Sequence, residues 1–334
     1  MSPAGFYVWN NTTQTWVPRR AASSGGSGYI DRSTLVYGTY KPDATTTGTL
    51  PGTTLTPTYI SSGGVMSESP AGGSGGRWNI TTDGAVIENR DIYGGLVIMA
   101  DNVTIRNCRI RNVVSAPVAG VWRACVDMTS TSSPPTNTVI RDCELYSSNV
   151  TELHLAVYGG TGVTVERCNI HTVVDGMRIW GAANTVQGNW IHDMVHYDPT
   201  PYTPTDGSHD DGIQLAPATY TGTQLIRGNW IDAHISGFNQ NNNGPSCIMF
   251  PTQVRRVEVD KNWLDWGWFP INLGGTPNVN ADVYITNNVM SPGWYTSGSG
   301  TTYHIVATTA WQAVYTLSGN TDRDTGGPIR VRNG

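Results

Sequence analysis

A histidine and two aspartates stand together in the stretch GSHDDGIQL. His209, Asp210 and Asp211 are residue types that take up and release protons, and the apolar alternation after them predicts a strand that would hold them in place. A similar stretch, DGMRI, supplies Asp175 and Arg178. These five residues form the candidate catalytic group.

Two carboxylates held close together cannot both ionise at low cost, so the pKa of one rises and the pair can supply an acid and a base. Glycoside hydrolysis uses such a pair. The alternative is structural, because an aspartate before glycine often caps a turn through the backbone, and DG also occurs at residues 83–84 and 206–207. Asp175 and Asp211 are compatible with both interpretations.

Aromatic side chains of the kind that contact sugars lie near this group in the sequence. The chain has 12 Trp and 15 Tyr against 4 Phe, and Trp and Tyr rings can pack on the C–H face of a sugar while still bonding water. With three polar residues, they form the predicted substrate-binding set: Asp127, His154, Tyr158, Trp180, Tyr197, Tyr202, Gln214, Trp266 and Trp268. His171, His192 and His196 are expected on the surface, and no metal-ligand spacing is evident.

The elements that must position these residues come from an internal repeat. Its segments share an apolar residue followed three positions later by Cys or Asn. The shared column reads Cys108, Cys143, Cys168, Asn189, Asn229, Asn262 and Asn288, with a weaker member at Asn320. Such a column predicts an internal ladder in which each amide bonds to the residues above and below it.

A second column alternates apolar residues with outward positions, as a strand with one buried face requires. The outward positions read Asp127, Ala156, Arg178, Gln214, Met249, Asn272 and Val306. If coils stack, these lie about 5 Å apart, with Arg178 next to Gln214. The repeats leave no room for crossover helices, so we predict an all-β, single-stranded parallel β-helix; a β-propeller, with four strands per blade, is the alternative.

The Cys-then-Asn column resembles the asparagine ladder of right-handed parallel β-helices in the pectate-lyase-like superfamily. The resemblance implies a polysaccharide hydrolase with clustered aspartates, a histidine and a basic residue on one strand face. The chain departs from the hydrolase pattern because HDDG and DGMRI stand without a GHG turn, which leaves the acid and base roles open. The lyases of the superfamily imply an alternative in which Asp210 and Asp211 hold calcium and Arg178 is the base. Otherwise no cofactor is expected.

Residues 1–76 have a different composition. Aromatic-rich pieces alternate there with SSGGSG, TTTGTLPGTT and AGGSGG, which are typical of linkers. We predict an N-terminal segment over residues 1–76, either a cap on the end of the solenoid or an attachment arm, and a β-helix domain over residues 77–334.

Composition and charge exclude several classes of function. Charged residues make up 13% of the chain, the net charge is −5, and Lys41 and Lys261 are the two lysines, so no basic surface for nucleic acid or a polyuronic acid is expected. Neither a signal peptide nor an apolar window of about 18 residues occurs, so membrane insertion is not expected. The five cysteines lack CxxC spacing, which disfavours a zinc site and a disulfide framework.

The pattern S-H-x-D-G-I-Q at residues 208–214 resembles β-helix minor tail proteins of phages that infect actinobacteria. The resemblance implies a virion tail protein that binds the polysaccharide of the host cell envelope. Depolymerase activity, hydrolase rather than lyase, is a further expectation that stays open. Residues 1–76 would join other tail proteins, and a homotrimer is one arrangement. The alternatives are a free, secreted glycoside hydrolase or polysaccharide lyase, and a purely structural tail component.

Overall fold

The structure is a computed structural model, and the described residues fall into fourteen ranges along the chain. They are 7–10, 15–18, 31–69, 75–113, 123–129, 133–150, 153–198, 207–215, 222–235, 244–250, 256–274, 282–295, 300–312 and 314–333. Strands dominate them. A 3₁₀ turn covers Arg32–Thr34, an α-helical turn covers Thr309–Gln312, and Tyr7–Asn10 pairs antiparallel with Thr15–Pro18.

The remaining strands form three long sheets, here named sheet I, sheet II and sheet III. Sheet I consists of Thr56–Ile60, Met66–Ser67, Arg90–Tyr93, Arg109–Val113, Glu144–Asn149, Asn169–His171, Trp190–His192, Trp230–Asp232, Trp263–Asp265, Val289–Met290 and Thr321–Asp322. Sheet II consists of Arg77–Ile80, Gly95–Ile98, Arg123–Met128, His154–Gly159, Asp175–Ile179, Ile213–Leu215, Ile248–Met249, Ile271–Leu273, Ile305–Ala307 and Val331–Asn333. Sheet III consists of Val86–Glu88, Thr104–Arg106, Val139–Arg141, Thr164–Glu166, Thr185–Gln187, Gln224–Arg227, Arg256–Asp260, Asp282–Thr286 and Tyr315–Ser318.

The chain visits the sheets in the order II, III, I, and each strand pairs in parallel with the equivalent strand of the next coil. Met66–Ser67 is an antiparallel addition at the edge of sheet I. The predicted all-β, parallel β-helix is therefore confirmed. No helix among the described residues has the length and apolarity needed to span a bilayer.

Alternation of side chains places the core inside the coils. In sheet II, Ile213 and Leu215 are buried while Gln214 between them faces outward. The same pattern runs through every sheet, so stacked Ile, Val and Leu rows fill the interior. Burying these rows stabilises each coil only when its neighbours are present, because one coil alone leaves both edges of its strands unpaired.

The corner between sheets III and I holds the predicted ladder. Each turn contains one residue with a positive φ, such as Asp142 at 52° or Gly228 at 62°, and the next residue points inward. The Nδ2 of Asn189 donates to Oδ1 of Asn229, and the Nδ2 of Asn229 donates to Oδ1 of Asn262, both at 2.9 Å. The bonds continue to Asn288 and Asn320, so the amide ladder is confirmed.

The segment at residues 31–55 packs along the outside of this ladder corner. Arg32 is buried and donates to the carbonyl oxygens of Thr47 and Gly48. Farther along, the ammonium of Lys41 lies 3.5 Å from the centroid of the Trp230 ring. Residues 31–55 thus bind the side of the solenoid, and Thr56–Ile60 already pairs with Arg90–Tyr93 in sheet I. The boundary predicted at residue 76 therefore falls after the first solenoid strand.

Candidate functional site

One row of side chains runs along the outer face of sheet II. Register places Asp127, Tyr158, Arg178, Gln214, Met249, Asn272, Val306 and Arg332 side by side in successive coils. Arg178 is next to Gln214 and two coils from Asp127, as predicted. Ala156 was wrong as a member of this row: Tyr158 takes the position, and Ala156 is buried. Neighbouring members stand about 4.8 Å apart, the spacing of paired strands.

Asp175 and Asp211 stack on each other at the start of two neighbouring strands of sheet II. The backbone N–H of Asp211 donates to Oδ1 of Asp175 at 2.9 Å, and the N–H of Ser246 donates to Oδ1 of Asp211 at 3.1 Å. Each carboxyl group therefore uses one oxygen to hold the next coil. Glycine follows both aspartates because the coils are close: a Cβ on Gly176 would lie 2.4 Å from the carbonyl oxygen of Gly212.

Burial controls the charge of this carboxyl pair. It raises the pKa of Asp211 well above its ordinary value, and the neighbouring charge of Asp175 raises it further. Burial also raises the pKa of Asp175, but the guanidinium of Arg178 and the N–H of Asp211 lower it. Of the two carboxyl groups, Asp211 therefore has the more strongly raised pKa and is the one that burial favours in the protonated form.

Arg178 connects the carboxyl pair to an aromatic surface. Its guanidinium lies 3.5 Å from Oδ2 of Asp175. The Tyr158 ring is half-buried in the preceding coil, and its centroid is 5.2 Å from that of Trp180. The indole N–H of Trp180 donates to the carbonyl oxygen of Arg178. Three predicted site residues thus lie together on the outer face of sheet II.

A pocket of about 380 Å³ opens next to Asp211, over the following coils of the same face. Its lining is His209, Asp211, Gly244, Met249, Trp268, Phe269, Asn272, Gly274, Val306 and Arg332. The Arg332 guanidinium lies 3.9 Å from the centroid of the Tyr295 ring, which holds its plane beside the pocket. Apolar walls with a few polar groups are typical of a ligand site.

Asp210 faces away from this pocket and bonds to His196. Nδ1 of His196 lies 2.5 Å from Oδ2 of Asp210 and 3.3 Å from Oγ of Ser208. The prediction that His196 lies on the surface is wrong, since only 9% of its side chain is exposed. The pair joins residues 193–198 to residues 207–212. Asp210, a member of the predicted catalytic group, is not among the residues that line the pocket.

Low pH should stabilise the fold through the contact between Asp210 and His196. Burial raises the pKa of Asp210 to about 6, and Asp210 raises the pKa of His196 despite burial. Both folded-state pKa values exceed the unfolded ones, so stability that is fully present below about pH 4 is lost as pH rises through about 6. We expect Asp210→Asn to flatten the fall in unfolding free energy between pH 4 and pH 7 by about 1–3 kcal/mol. Urea titrations at several pH values measure this, and an unchanged slope would contradict it.

Several predicted binding residues lie apart from the pocket. His154 is fully buried, and burial lowers its pKa to about 4. Asp127 is buried as well, with Arg77 on one carboxylate oxygen and Thr129 on the other. The hydroxyl of Tyr197 donates to the carbonyl oxygen of Val150. Tyr202 lies outside the described residues.

Trp266 and Trp268 lie on opposite sides of one wall. Trp268 lines the pocket with Phe269, whereas Trp266 is 37% exposed beside His234 and Trp294. Sequence reasoning did not select Met249, Phe269, Asn272 or Arg332 as site residues. Met249 and Asn272 belong to the row of outward positions predicted from the sequence, and that position is the signal that could have identified them as site residues. Arg332 follows the last rung of the ladder, where the repeat pattern ends.

Asp210 and Asp211, the predicted calcium ligands, have different partners. Asp210 lies against His196, whereas Asp211 accepts a hydrogen bond from the N–H of Ser246. Among the described residues, no three His, Cys, Asp or Glu side chains are grouped to hold a metal.

Comparison with known proteins identifies a family over more than half of the chain. The sequence model described as "Right handed beta helix region" matches residues 76–250. The matched range contains Asp175, His209 and Asp211 and ends before Asn272. No curated protein and no solved structure matches the chain.

Proposed function

Because the chain belongs to the right-handed β-helix family, we propose that it binds a polysaccharide along the outer face of sheet II and hydrolyses it beside Asp211. Right-handed β-helix regions are common in proteins that bind or degrade carbohydrates. The observation that carries the proposal is the pocket with a carboxyl group whose pKa is raised, that of Asp211, and an imidazole, His209, in its lining.

The row on sheet II has the composition of a sugar-binding surface. Trp180 and Tyr158 lie on one side of Arg178, and Trp268 and Phe269 lie beyond Gln214 on the other. Flat rings contact the C–H faces of sugars, while Gln214 and Asn272 offer amides to hydroxyl groups. A chain of several sugars can therefore lie across successive coils.

Asp211 acts as the general acid in this proposal. Burial raises its pKa well above the ordinary value, which favours the protonated form that donation to a leaving glycosidic oxygen requires. Asp175, one coil away, raises the pKa of Asp211 further by its negative charge. Asp175 does not line the pocket, so it acts through Asp211 and does not touch the sugar.

His209 is the base that activates water. It is half-buried, lines the same pocket and lies within electrostatic reach of Asp175. Among the described residues, the pocket lining contains one carboxyl group, that of Asp211, so we expect direct attack by water and inversion at the anomeric carbon.

A place in a phage tail is the finer part of the proposal. The pattern from Ser208 to Gln214 resembles minor tail proteins, and the pocket stands at the end of that stretch. The substrate would then be the host cell-envelope polysaccharide, and residues 1–76 would contact other tail proteins, with a homotrimer as one arrangement. Mass spectrometry of purified virions tests the location.

The experiment is to incubate the protein with actinobacterial cell-wall glycans and measure both reducing ends and unsaturated products. We expect new reducing ends without an absorbing double bond, and proton NMR should show the inverted anomer first. Unsaturated products would replace the hydrolase by a lyase. Binding without any product would support an adhesion role and contradict hydrolysis.

A further inference from the structure

A cup of three aromatic rings lies outside the pocket, at the corner between sheets I and II. Trp266 is 5.4 Å from His234 and 6.2 Å from Trp294, measured between ring centroids. His234 and Trp294 lie 6.3 Å apart. We infer that this cup is a second sugar-binding site that takes a neutral pyranose ring of the same polysaccharide. The choice of ligand class rests on the proposed function.

The backbone of Trp266 argues for a role other than folding. Its φ is +66°, a left-handed conformation that bulky residues rarely adopt and that costs roughly 1–2 kcal/mol relative to glycine. Register places Thr172, Asp193 and Ala233 at the same corner position in earlier coils. A large ring at this position is strained and remains 37% exposed, so part of its aromatic surface faces solvent.

The three rings of the cup are tilted against one another rather than stacked. The ring planes meet at 58° between Trp266 and His234, at 51° between Trp266 and Trp294, and at 83° between His234 and Trp294. On the outer face of sheet I, by contrast, Trp190 stacks on Trp230 at 15° and Tyr59 stacks on Tyr93 at 16°, so those rings cover each other. Tilted rings form a concave surface whose C–H contacts match a pyranose, whereas stacked rings offer mainly their edges.

Polar groups around the cup match hydroxyl groups. The guanidinium of Arg323 lies 6.0 Å from the Trp266 ring and forms ion pairs with Asp265 and Asp324. Asp232 accepts a hydrogen bond from the N–H of His234 at the opposite rim. Arg323 carries one positive charge against the two negative charges of Asp265 and Asp324, so the rim offers donors and acceptors with a slight negative charge. This balance favours a neutral sugar over an anionic one.

The cup and the pocket share one wall but are separate sites. The N–H of Trp294 donates to the carbonyl oxygen of Gly267, and the N–H of Tyr295 donates to that of Trp268. Trp268 and Tyr295 face the pocket side, with ring centroids 5.6 Å apart. A polysaccharide that binds the pocket can therefore also contact the cup across the corner.

The test compares Trp266→Gly with Trp268→Ala, both in the Asp211→Asn background so that hydrolysis does not affect binding. Glycine adopts the left-handed backbone without strain, which offsets part of the stability lost with the ring, so Trp266→Gly is expected to remain folded under the assay conditions. The probe is retention on insoluble, protein-free actinobacterial cell walls. We expect Trp266→Gly to weaken retention by about tenfold.

The outcomes separate the two proposals. Unchanged retention in Trp266→Gly overturns the second site, even if Trp268→Ala abolishes binding and the pocket is thereby supported. Weakened retention in Trp266→Gly with no turnover by the unaltered protein supports the cup and overturns the hydrolase. Absence of retention in both variants and in their Asp211→Asn parent overturns both.

Discussion

Replacing Asp211 with asparagine is expected to lower kcat on the wall polysaccharide by about 10²–10⁴-fold, the range that a general acid contributes. Asparagine keeps the Oδ1 acceptor for the N–H of Ser246, so the coil contact survives. It also resembles a protonated carboxyl group in shape, so the fold and the binding affinity should change little. What it removes is the transferable proton.

The matched control is Asp193→Asn, the same chemical change on a side chain that is 80% exposed. Turnover by this variant should equal that of the unaltered protein. Reducing-end assays at saturating polysaccharide measure kcat, and retention on cell walls measures binding. If Asp211→Asn keeps full turnover, the acid is another group and the proposed chemistry is wrong.

Asp175 should show a different signature because it acts through Asp211. Its negative charge raises the pKa of Asp211, so Asp175→Asn should lower that pKa. The basic limb of the kcat profile would then move to lower pH, which a purely structural defect would not cause. If kcat falls by the same factor at every pH and the profile does not move, Asp175 has only a structural role.

Much of the fold follows from the sequence because the repeat has physical landmarks. A small polar residue after each tight turn marks the corner between sheets III and I, and alternation of apolar residues marks the strands. The contact between Arg178 and Gln214 was predictable for that reason, since both stand between two buried residues in aligned strands.

The register of His154–Gly159 could not be found in the same way. Sequence alignment paired Ala156 with Arg178, whereas Tyr158 is the partner. A shift of two residues keeps every side chain on its own face, so alternation does not detect it, although a shift of one would. Residues His154 to Val157 are all buried, so this strand also lacks the alternation of buried and exposed residues that would identify its outward positions.

The candidate site was harder to predict where distant segments meet. His196 and Asp210 are fourteen residues apart, at the two ends of an insertion whose length fixes no geometry. Similarly, the pocket combines the corner residues Trp268 and Phe269 with Arg332 near the end of the described chain. Outward position can be read from alternation, but which outward residues share a cavity depends on how the corners fold.

Asn229→Ala is expected to be the most destabilising of the substitutions considered, by about 3–5 kcal/mol. Asn229 is fully buried, and its Oδ1 accepts from both the N–H and the Nδ2 of Asn189. Its Nδ2 donates to the carbonyl oxygen of Val186 and to Oδ1 of Asn262. Alanine leaves these buried partners unpaired between coils where water does not replace the amide.

Asn320→Ala is the control, because Asn320 is the last described rung and is partly buried, so a loss of about 1–2 kcal/mol is expected. Urea unfolding followed by circular dichroism compares the free energies of unfolding of the two variants. Equal losses would contradict the expectation that an inner rung stabilises the protein more than the last described rung. The Asn189–Asn229 bonds join the same two coils that the Asp211 N–H joins to Asp175. Asn229→Ala should therefore also reduce turnover under conditions where the protein remains folded, whereas Asn320→Ala, several coils away, should not.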